Sequence, residues 1–396
     1  MTETRNDWAV VESEIEQTAV VIVGAGVAGL TLATFLEKSG IACVVLERRD
    51  RSYIEARQRA GFLEPRAVKM FERWEMETLL PEGPIAQHGE IRINGAARPF
   101  GSIGNDAEQG RFCTQQQLVI NLLRRLIDET DGDVRFDVGD LRILNEEVDR
   151  PRVGYSDASG HHEIACDYIV GCDGGHSASR STIPQGVLTK YSYEFGYAWL
   201  AALVSAAPIS GQAIMAVSDH GFAAQITRGP HRSRVYLQCD VSDSPQDWPA
   251  ERIWDELRLR LGDVSITPAD VLSRDVIPLR SVVYEPMQYR NLFLVGDAAH
   301  LLPPTGAKGM NLALHDVDII SKALLSSVRN GDKTLLESYS REALPDVWKE
   351  QEFSVSMTDL MHDAGDPKRH GSFKQMIART RIERFFAAAK QYEFQS

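Results

Sequence analysis

Three segments rich in glycine and aspartate hold residues suited to binding a dinucleotide. The first, GAGVAG, places Gly24, Gly26 and Gly29 in the pattern GxGxxG, and Glu47 follows 18 residues after the last glycine. Glycines at these positions let the backbone approach a pyrophosphate at a helix N-terminus, and an acid at that distance accepts hydrogen bonds from ribose hydroxyls. The pattern alone is a weak signal, but a strand before it and a helix after it make it specific. We therefore expect the adenosine half of a dinucleotide here.

Two later segments carry aspartates at the ends of apolar runs. In GCDGGHSASR, Asp173 follows a strand-like run and Arg180 lies seven residues further on. In VGDAAHLLPPTGAKGMN, Asp297 suits a ribityl or ribose hydroxyl, and residues 303–311 supply backbone N–H groups at a helix start for a pyrophosphate or an electron-rich ring carbonyl. Taken alone, the first of these segments is also compatible with an ordinary turn between a strand and a helix.

Several strands are needed to bring these segments together. AVVIV at residues 19–23 is a continuous β-branched run, typical of a parallel strand covered on both faces. LTLATFLEKSG predicts the following helix, ended by Gly40, and IACVVLE predicts a second strand that ends in Glu47. This is one βαβ unit, and further strands are predicted near 167–174 and 290–300. We expect one nucleotide-binding domain assembled from three pieces of the chain.

A second domain is predicted inside the first. GYAWLAALV, QAIMAV and RVYLQC alternate like strands, with one helix at PAERIWDELRLRLG, and the chain becomes helical after residue 306. The fold class is therefore α/β, with a Rossmann-like domain, an inserted antiparallel β-sheet substrate domain and a C-terminal helical region. The expected boundaries are a mobile N-terminal tail at 1–17, the discontinuous nucleotide-binding domain at 18–187 and 284–330, the substrate domain at 188–283, and the helical region at 331–396.

Composition argues against several classes of function. The chain has 396 residues, with 43 Lys and Arg against 56 Asp and Glu, and the net charge of −13 argues against nucleic-acid binding. No apolar run approaches the length of a membrane span, and the first 17 residues lack the pattern of a secretory signal. The five cysteines are scattered without metal-ligand spacing. We expect no metal site, and reduced, mostly buried thiols in a cytoplasmic protein.

These motifs, in this order, give the chain a family resemblance. It resembles the class A flavin-dependent aromatic hydroxylases, most of all their para-hydroxybenzoate hydroxylase branch, over residues 19 to about 375. The resemblance is carried by LERRDRSYIEARQRAGFLE, GCDGGHSASR, PLRSVVYEPM and LVGDAAHLLPPTGAKGMNLA. In that family FAD is bound tightly, is reduced by NADPH or NADH, and reacts with O2 to form a C4a-hydroperoxide that hydroxylates an activated ring. The resemblance implies an FAD-binding Rossmann-like domain and the same chemistry here, in a cleft that excludes water.

The resemblance also implies which residues contact the two nucleotides. The positions that match FAD contacts are Gly24, Gly26, Gly29, Glu47, Arg59, Gln115, Asp173, Asp297 and Asn311. The nicotinamide cofactor has no separate domain in this family, and the positions that match its contacts are Arg48, Arg49, Tyr53, Arg57, His176, Arg180 and Arg280. The two arginines after Glu47 favour NADPH over NADH, and an arginine cluster in an acidic protein suits a ligand that carries phosphate. The alternative is that these arginines are scattered over the surface, where arginine is common.

The segment QITRGPHRSRVYLQC, residues 225–239, supplies the expected substrate contacts on two strands around a Gly-Pro turn. In the hydroxybenzoate enzymes of the family a serine, an arginine and a tyrosine on this sheet bind the substrate carboxylate. The matching positions here are Ile226, Arg228 and Tyr236. Arginine and tyrosine can still hold an aromatic carboxylate, whereas isoleucine removes one hydrogen bond, worth about 1 kcal/mol. Arg234, between them, is expected to be structural.

At the other end of the ring the chain departs from the family. The family's phenol-deprotonating tyrosine matches Met215, which cannot accept a proton. The backbone carbonyl of Pro304 remains as an acceptor for a ring hydroxyl or amine, and His88 is a candidate link from the cleft to solvent. Because an amino group activates a ring without phenol deprotonation, we expect an amino- or amino-hydroxy-benzoate substrate, such as 3-amino-4-hydroxybenzoate.

Three alternatives remain open. The chain could hydroxylate 4-hydroxybenzoate itself, as a 4-hydroxybenzoate 3-monooxygenase, or act as a flavin-linked dehydrogenase or reductase on the same scaffold. It could also be a non-enzymatic flavoprotein that senses a ligand or docks a partner, although the arginines assigned to the nicotinamide cofactor argue against this. Relatives are often dimers, so a homodimer is carried over as an expectation.

Overall fold

The protein is described here by a computed structural model, which covers residues 15–57, 60–82, 89–100, 110–144, 150–209, 213–363 and 367–393. Its strands are β1 (Glu16–Val23), β2 (Cys43–Leu46), β3 (Ala60–Leu63), β4 (Gly89–Ile93), β5 (Ala96–Phe100), β6 (Arg111–Thr114), β7 (Asp133–Arg135), β8 (Gly139–Leu144), β9 (Arg152–Asp157), β10 (Gly160–Gly171), β11 (Thr189–Val204), β12 (Ala213–Ser218), β13 (Gly221–Thr227), β14 (Ser233–Cys239), β15 (Val271–Glu285), β16 (Gln288–Tyr289), β17 (Leu292–Leu294) and β18 (His300–Leu301).

Helices cover both sheets. They are α1 (Val27–Lys38), α2 (Arg51–Ala56), α3 (Pro65–Arg73), α4 (Gln115–Leu123), α5 (Ala178–Ser181), α6 (Ala250–Leu261), α7 (Lys308–Asn330), α8 (Thr334–Glu337), α9 (Tyr339–Asp363) and α10 (Pro367–Glu393). A π-helical turn at Arg124–Asp128 continues α4, and α10 is interrupted at Gly371, which has φ of 75°. None of the described helices is long and apolar enough to cross a membrane.

The first sheet carries the nucleotide-binding motifs. Its strand order is β16-β17-β10-β1-β2-β7, and β1 pairs in parallel with both β2 and β10. Val20, Val21 and Ile22 are fully buried, because helices or strands cover both faces of this strand. The predicted βαβ unit is confirmed: α1 joins β1 to β2, and Glu47 follows β2 directly. The GD segment follows β17, which pairs in parallel with β10.

The second sheet has the order β18-β15-β11-β14-β13-β12-β4-β5 and is antiparallel except where β4 pairs with β12. One face packs against α6 around Trp248 and Trp254. The other face packs against α9 and α10 through an aromatic cluster that includes Trp199 and Phe222. The predicted inserted sheet is therefore present, with a helix on each face.

Two expected boundaries need correction. Residues 89–100 were placed in the nucleotide-binding domain at 18–187, but β4 and β5 extend the second sheet, since Ile214 pairs with Glu90 and Val217 with Ile93. The expected tail at 1–17 is also too long. β1 begins at Glu16, where the backbone pairs with Ile164 and the carboxylate forms an ion pair with Arg135.

The segment 225–239 forms the predicted hairpin. β13 and β14 pair in antiparallel register, with Ala224 opposite Tyr236 and Ile226 opposite Arg234. The turn is closed by a hydrogen bond from the Arg228 N–H to the Arg232 carbonyl, and Gly229 has φ of 122°. Because strand side chains alternate, Ile226, Arg234 and Tyr236 share the face that carries the aromatic cluster.

Candidate active site

The three glycines of the first motif have different surroundings: Gly24 and Gly29 are closely packed, and Gly26 is open. A Cβ on Gly24, where φ is 105°, would lie 2.6 Å from the Cys172 carbonyl oxygen, and a Cβ on Gly29 would lie 2.0 Å from the Gly24 oxygen. These two positions let β1, β10 and α1 approach closely, which a side chain would prevent. A Cβ on Gly26 would meet no protein atom within 4 Å. Gly26 therefore opens onto a space that a ligand can fill at the N-terminus of α1.

Glu47 is fixed by the backbone around it. One carboxylate oxygen accepts a hydrogen bond from the Ala25 N–H at 2.8 Å, and the other accepts from the Arg49 N–H at 2.9 Å. The side chain is 8% exposed. Since each carboxylate oxygen has a further lone pair, this arrangement holds the acid in place and leaves it able to accept from a ribose hydroxyl.

A cleft of about 980 Å³ runs between the two sheets, and most of the predicted nucleotide contacts line it. Of the predicted FAD contacts, Gly24, Gly26, Glu47, Gln115, Asp173 and Asp297 lie on this wall, as does Pro304. Of the predicted nicotinamide contacts, Arg48, Arg49, Tyr53, Arg57, His176 and Arg280 do so. Arg59 and His88 lie outside the described residues.

At two predicted contacts, Asn311 and Arg180, the protein itself uses the side chain, and the contact of each residue with a nucleotide stays a prediction. The Asn311 carboxamide accepts from the Glu64 N–H at 2.9 Å and donates to the Phe62 carbonyl at 2.7 Å, which ties α7 to β3. The Arg180 guanidinium donates to the carbonyls of Ala298 at 2.6 Å and Gly175 at 2.9 Å, and lies over the Tyr284 ring. Neither residue lines the cleft. Arg180 instead connects the DG and GD segments.

Asp173 both forms hydrogen bonds within the protein and lies on the cleft wall. Its carboxylate accepts from the Ser177 hydroxyl at 2.6 Å and from the Ser179 N–H at 2.9 Å, so it caps the short helix α5. The same residue lies on the cleft wall. The turn interpretation of the DG segment is thus correct, and the contact of Asp173 with FAD stays a prediction.

The GD segment depends on a buried pair that sequence reasoning missed. Asp316 of α7 is fully buried and accepts from the Gly296 N–H at 2.8 Å and from His300 Nε2 at 2.7 Å. Burial acts to lower the pKa of His300, but the Asp316 carboxylate outweighs it and raises that pKa. The pair holds the segment on which Asp297 lies. The available signal was an acid on the apolar face of α7, four residues from both Leu312 and Ile320.

The arginines after β2 remain available to a ligand. Arg48 and Arg49 are exposed, and neither forms an ion pair with an acid in the described part of the chain. Arg49 lies 5.0 Å from the centre of the Tyr53 ring. Arg280 is exposed on the opposite wall, beside Glu194 on the neighbouring strand. This part of the cleft can receive a phosphate-bearing nucleotide.

The substrate face of the second sheet holds two arginines without an acid. Arg228 Nη1 donates to the Thr227 carbonyl at 2.7 Å, while Nη2 is buried and has no hydrogen-bond partner among the described residues. The pKa of Arg228 is lowered from its ordinary value, mainly by burial. The neighbouring Tyr236 acts in the opposite direction, and nearby Arg234 lowers the pKa further. Arg234 Nε is likewise buried without a described partner, so the expected structural pairing of Arg234 is not found.

The rest of this face is apolar. Tyr236 is 8% exposed and lies in the aromatic cluster with Trp199 and Phe222, and Met215 and Ile226 pack against that cluster. Two cationic groups beside an apolar wall form a site complementary to a small aromatic anion.

Comparison with known proteins decides the family. Residues 17–354 match the family described as "FAD binding domain". The chain is 35% identical over 352 residues to a p-hydroxybenzoate hydroxylase of Acinetobacter baylyi, an alignment that covers 87% of this chain and 86% of the relative. The chain belongs to the class A FAD-dependent aromatic hydroxylases. It is an oxidoreductase of the monooxygenase type.

Other similarities are more distant. The hydroxylase is 28% identical to a 3-(3-hydroxy-phenyl)propionate/3-hydroxycinnamic acid hydroxylase of Mycobacterium avium, over 82% of this chain but only 58% of the length of that relative. The fold matches the crystal structure of p-nitrophenol 4-monooxygenase from Pseudomonas putida with a TM-score of 0.82, at 18% identity, over 96% of each chain.

The cleft of this hydroxylase fits FAD. The open space at Gly26 has room for a pyrophosphate at the N-terminus of α1, as the GxGxxG motif predicts. The contact of Glu47 with the adenosine ribose stays a prediction. Burial raises the pKa of Cys166 to about 12, and burial also raises the pKa of Cys172 on the cleft wall, so both thiols stay protonated near neutral pH.

Proposed function

We propose that this hydroxylase inserts one oxygen atom into the ring of a small aromatic carboxylic acid, and that an amino- or amino-hydroxy-benzoate such as 3-amino-4-hydroxybenzoate is its substrate. The observation that carries the proposal is Arg228. It is a partly buried guanidinium beside Tyr236 on an apolar sheet face, and its Nη2 has no hydrogen-bond partner among the described residues. A carboxylate supplies the charge and the hydrogen-bond acceptors that this position needs.

The chain's own groups bind, orient and shield the ring. Arg228 and Tyr236 bind the carboxylate, and the apolar side chains of Ile226 and Met215 contact the ring and exclude water. The Pro304 carbonyl, on the cleft wall, accepts a hydrogen bond from a ring hydroxyl or amine. FAD, when bound, supplies the reduction of O2 and the transfer of one oxygen atom. The overall reaction consumes the aromatic acid, O2, NAD(P)H and one proton, and yields the hydroxylated acid, water and NAD(P)+.

Met215 is the reason to favour an amino group on the ring. The side chain packs against the aromatic cluster, and a thioether cannot remove a phenolic proton. A ring that already carries an amino group is electron-rich without that proton transfer. 4-Hydroxybenzoate is the second candidate, because the Acinetobacter relative is a p-hydroxybenzoate hydroxylase of nearly the same length.

NADPH is the proposed reductant. Arg48 and Arg49 are exposed on the cleft wall without ion-pair partners in the described part of the chain. A phosphate on the adenosine of NADPH would be such a partner. Measuring KM for NADPH and for NADH in parallel assays tests this choice. A KM for NADH equal to or lower than that for NADPH would refute it.

The test is a substrate screen with the FAD-loaded enzyme. We would measure NADPH oxidation, O2 consumption and product mass with 3-amino-4-hydroxybenzoate, 3-aminobenzoate, 4-aminobenzoate and 4-hydroxybenzoate. The matched control compound is 2-aminophenol, which lacks the carboxylate. We expect a product heavier by one oxygen with an amino-substituted acid and no stimulation by 2-aminophenol. Coupled turnover with 4-hydroxybenzoate alone would support the second candidate, and NADPH oxidation without O2 consumption would support a dehydrogenase or reductase.

A further inference from the structure

Helix α9 presents a polar row to the interior of the protein. Gln351, Ser354, Thr358 and His362 are 4%, 0%, 0% and 0% exposed, and their spacing of three or four residues puts them on one face. Buried polar groups in a folded protein are nearly always hydrogen-bonded. His362, at the C-terminal end of this row, is hydrogen-bonded on both ring nitrogens.

Two hydrogen bonds of His362 show how its ring nitrogens are used. Nε2 lies 2.7 Å from Trp199 Nε1, and an indole N–H can only donate, so Nε2 accepts. Nδ1 lies 2.7 Å from the Thr358 carbonyl, which can only accept, so Nδ1 donates. The ring also stacks on Tyr197 with centres 4.4 Å apart.

The group that His362 holds is part of the substrate face. Trp199 is 4% exposed, and its ring centre lies 5.0 Å from that of Tyr236 and 5.2 Å from that of Phe222. Tyr236 in turn neighbours Arg228. A continuous series of contacts thus runs from α9 through Trp199 to the two residues proposed to bind the carboxylate.

We propose that His362 is a positioning residue for the aromatic-acid site. Its hydrogen bond fixes the indole of Trp199, and the indole holds the Tyr236 ring in the orientation that lets its hydroxyl act together with Arg228. The substrate half of this inference rests on the proposed function. Loss of the bond would leave the Trp199 N–H buried and unpaired, so the indole would shift toward any available acceptor and displace Tyr236.

Two variants separate the hydrogen bond from the shape of the side chain. His362→Phe retains a flat ring that stacks on Tyr197 but has no acceptor, whereas His362→Gln retains an acceptor. The matched control is His162→Phe, because His162 also stacks on a tyrosine, Tyr155, at 4.9 Å, but lies on the first sheet. FAD content and the unfolding midpoint of each variant verify folding.

The first measurement follows the hydrogen bond directly, through the NMR signal of the Trp199 indole N–H. The six tryptophans give separate indole N–H signals in 15N-labelled protein, and Trp199→Phe identifies that of Trp199. We expect His362→Phe to move this signal and His162→Phe to leave it unchanged. An unmoved signal in folded His362→Phe would overturn the inference, whatever the substrate proves to be.

The second measurement tests whether loss of the hydrogen bond weakens ligand binding at the substrate face. The dissociation constant of 4-hydroxybenzoate, followed by the flavin absorbance of the FAD-loaded enzyme, should rise about tenfold in His362→Phe and less than threefold in His362→Gln. KM should rise more than kcat falls, and the share of NADPH converted to H2O2 should increase.

In a Trp199→Phe background the effect of His362→Phe should largely vanish. An equal effect in both backgrounds contradicts positioning through Trp199. If the unaltered enzyme binds no aromatic carboxylate while the indole signal behaves as expected, the proposed function fails and the hydrogen bond stands.

Discussion

The nucleotide cleft and the substrate face of the second sheet differ in how far the protein satisfies its own charged groups. In the cleft, Glu47 and Asp173 accept hydrogen bonds from neighbouring backbone N–H groups. On the substrate face, Arg228 and Arg234 carry buried nitrogens that no described residue accepts from. The acids of the cleft are therefore held in place before a nucleotide binds, whereas the arginines of the substrate face, like Arg48 and Arg49 of the cleft, have nitrogens that can still bind an anion. This suits a resident cofactor in the first case and an exchanging ligand in the second.

The largest effect should come from the glycines that build the cleft. Gly24→Ala forces a Cβ against the Cys172 carbonyl at a positive φ, and we expect a loss of several kcal/mol of folding free energy. Gly26→Ala meets only open space and should leave folding unchanged while lowering FAD affinity at least tenfold. Denaturant unfolding and fluorescence titration of FAD measure the two quantities. Normal FAD binding by folded Gly26→Ala would show that the pyrophosphate lies elsewhere.

Next in size is the loss of Arg228. Arg228→Met should weaken the binding of an aromatic carboxylate by about 3 kcal/mol, roughly a hundredfold, because a charge-assisted pair in a dry site is lost. FAD content should not change, since Arg228 does not line the cleft. The matched control is Arg232→Met, an exposed arginine in the turn of the same hairpin. Loss of FAD in Arg228→Met, or an equal effect of Arg232→Met, would contradict the assignment.

A smaller effect should follow from restoring a hydroxyl on the substrate face. Ile226→Ser adds one hydrogen bond to the carboxylate, worth about 1 kcal/mol, and removes an apolar contact with the ring. Because every candidate acid carries this carboxylate, we expect the dissociation constants of 4-hydroxybenzoate and of the amino-substituted acids to fall together, by about fivefold. Thr227→Ser, the neighbouring position on the opposite face, is the control. Unchanged dissociation constants for all of these acids would mean that Ile226 does not contact the substrate carboxylate.

The smallest effect concerns pH. The pKa of His300 is raised in the folded protein, so the stability that its charge contributes is fully present below the unfolded value near 6.5 and is lost as pH rises through the folded pKa. The difference in unfolding free energy between the FAD-loaded wild type and His300→Gln should therefore shrink as pH rises from 5.5 to 9. A difference that grows with pH would contradict the ion pair with Asp316.

Much of the fold was predictable because its signals are local. The apolar run before GAGVAG, the helix after it and the position of Glu47 require only a window of about 30 residues, and the βαβ unit follows. The hairpin at 225–239 was predictable for the same reason, since alternation and the Gly-Pro turn place Ile226 and Tyr236 on one face.

The features that the sequence did not indicate involve partners that are distant in the chain. Nothing near residues 89–100 indicates that this segment pairs with β12, more than a hundred residues later. Likewise, nothing near Asn311 and Arg180 indicates that Glu64 and Ala298, both remote in the chain, engage their side chains.

By itself, the sequence determined the architecture and the nucleotide motifs, because periodicity and motif spacing are properties of neighbouring residues. The candidate substrate contacts came from the family resemblance. Only the tertiary structure decided which polar groups already have partners. Asp316 and His300 are engaged with each other and His362 with Trp199, while Arg228 and Arg234 have nitrogens without a partner among the described residues. Hydrogen-bond satisfaction depends on which distant segments meet, and that information separates an arginine that the protein itself engages, such as Arg180, from one with a nitrogen still open to an acceptor.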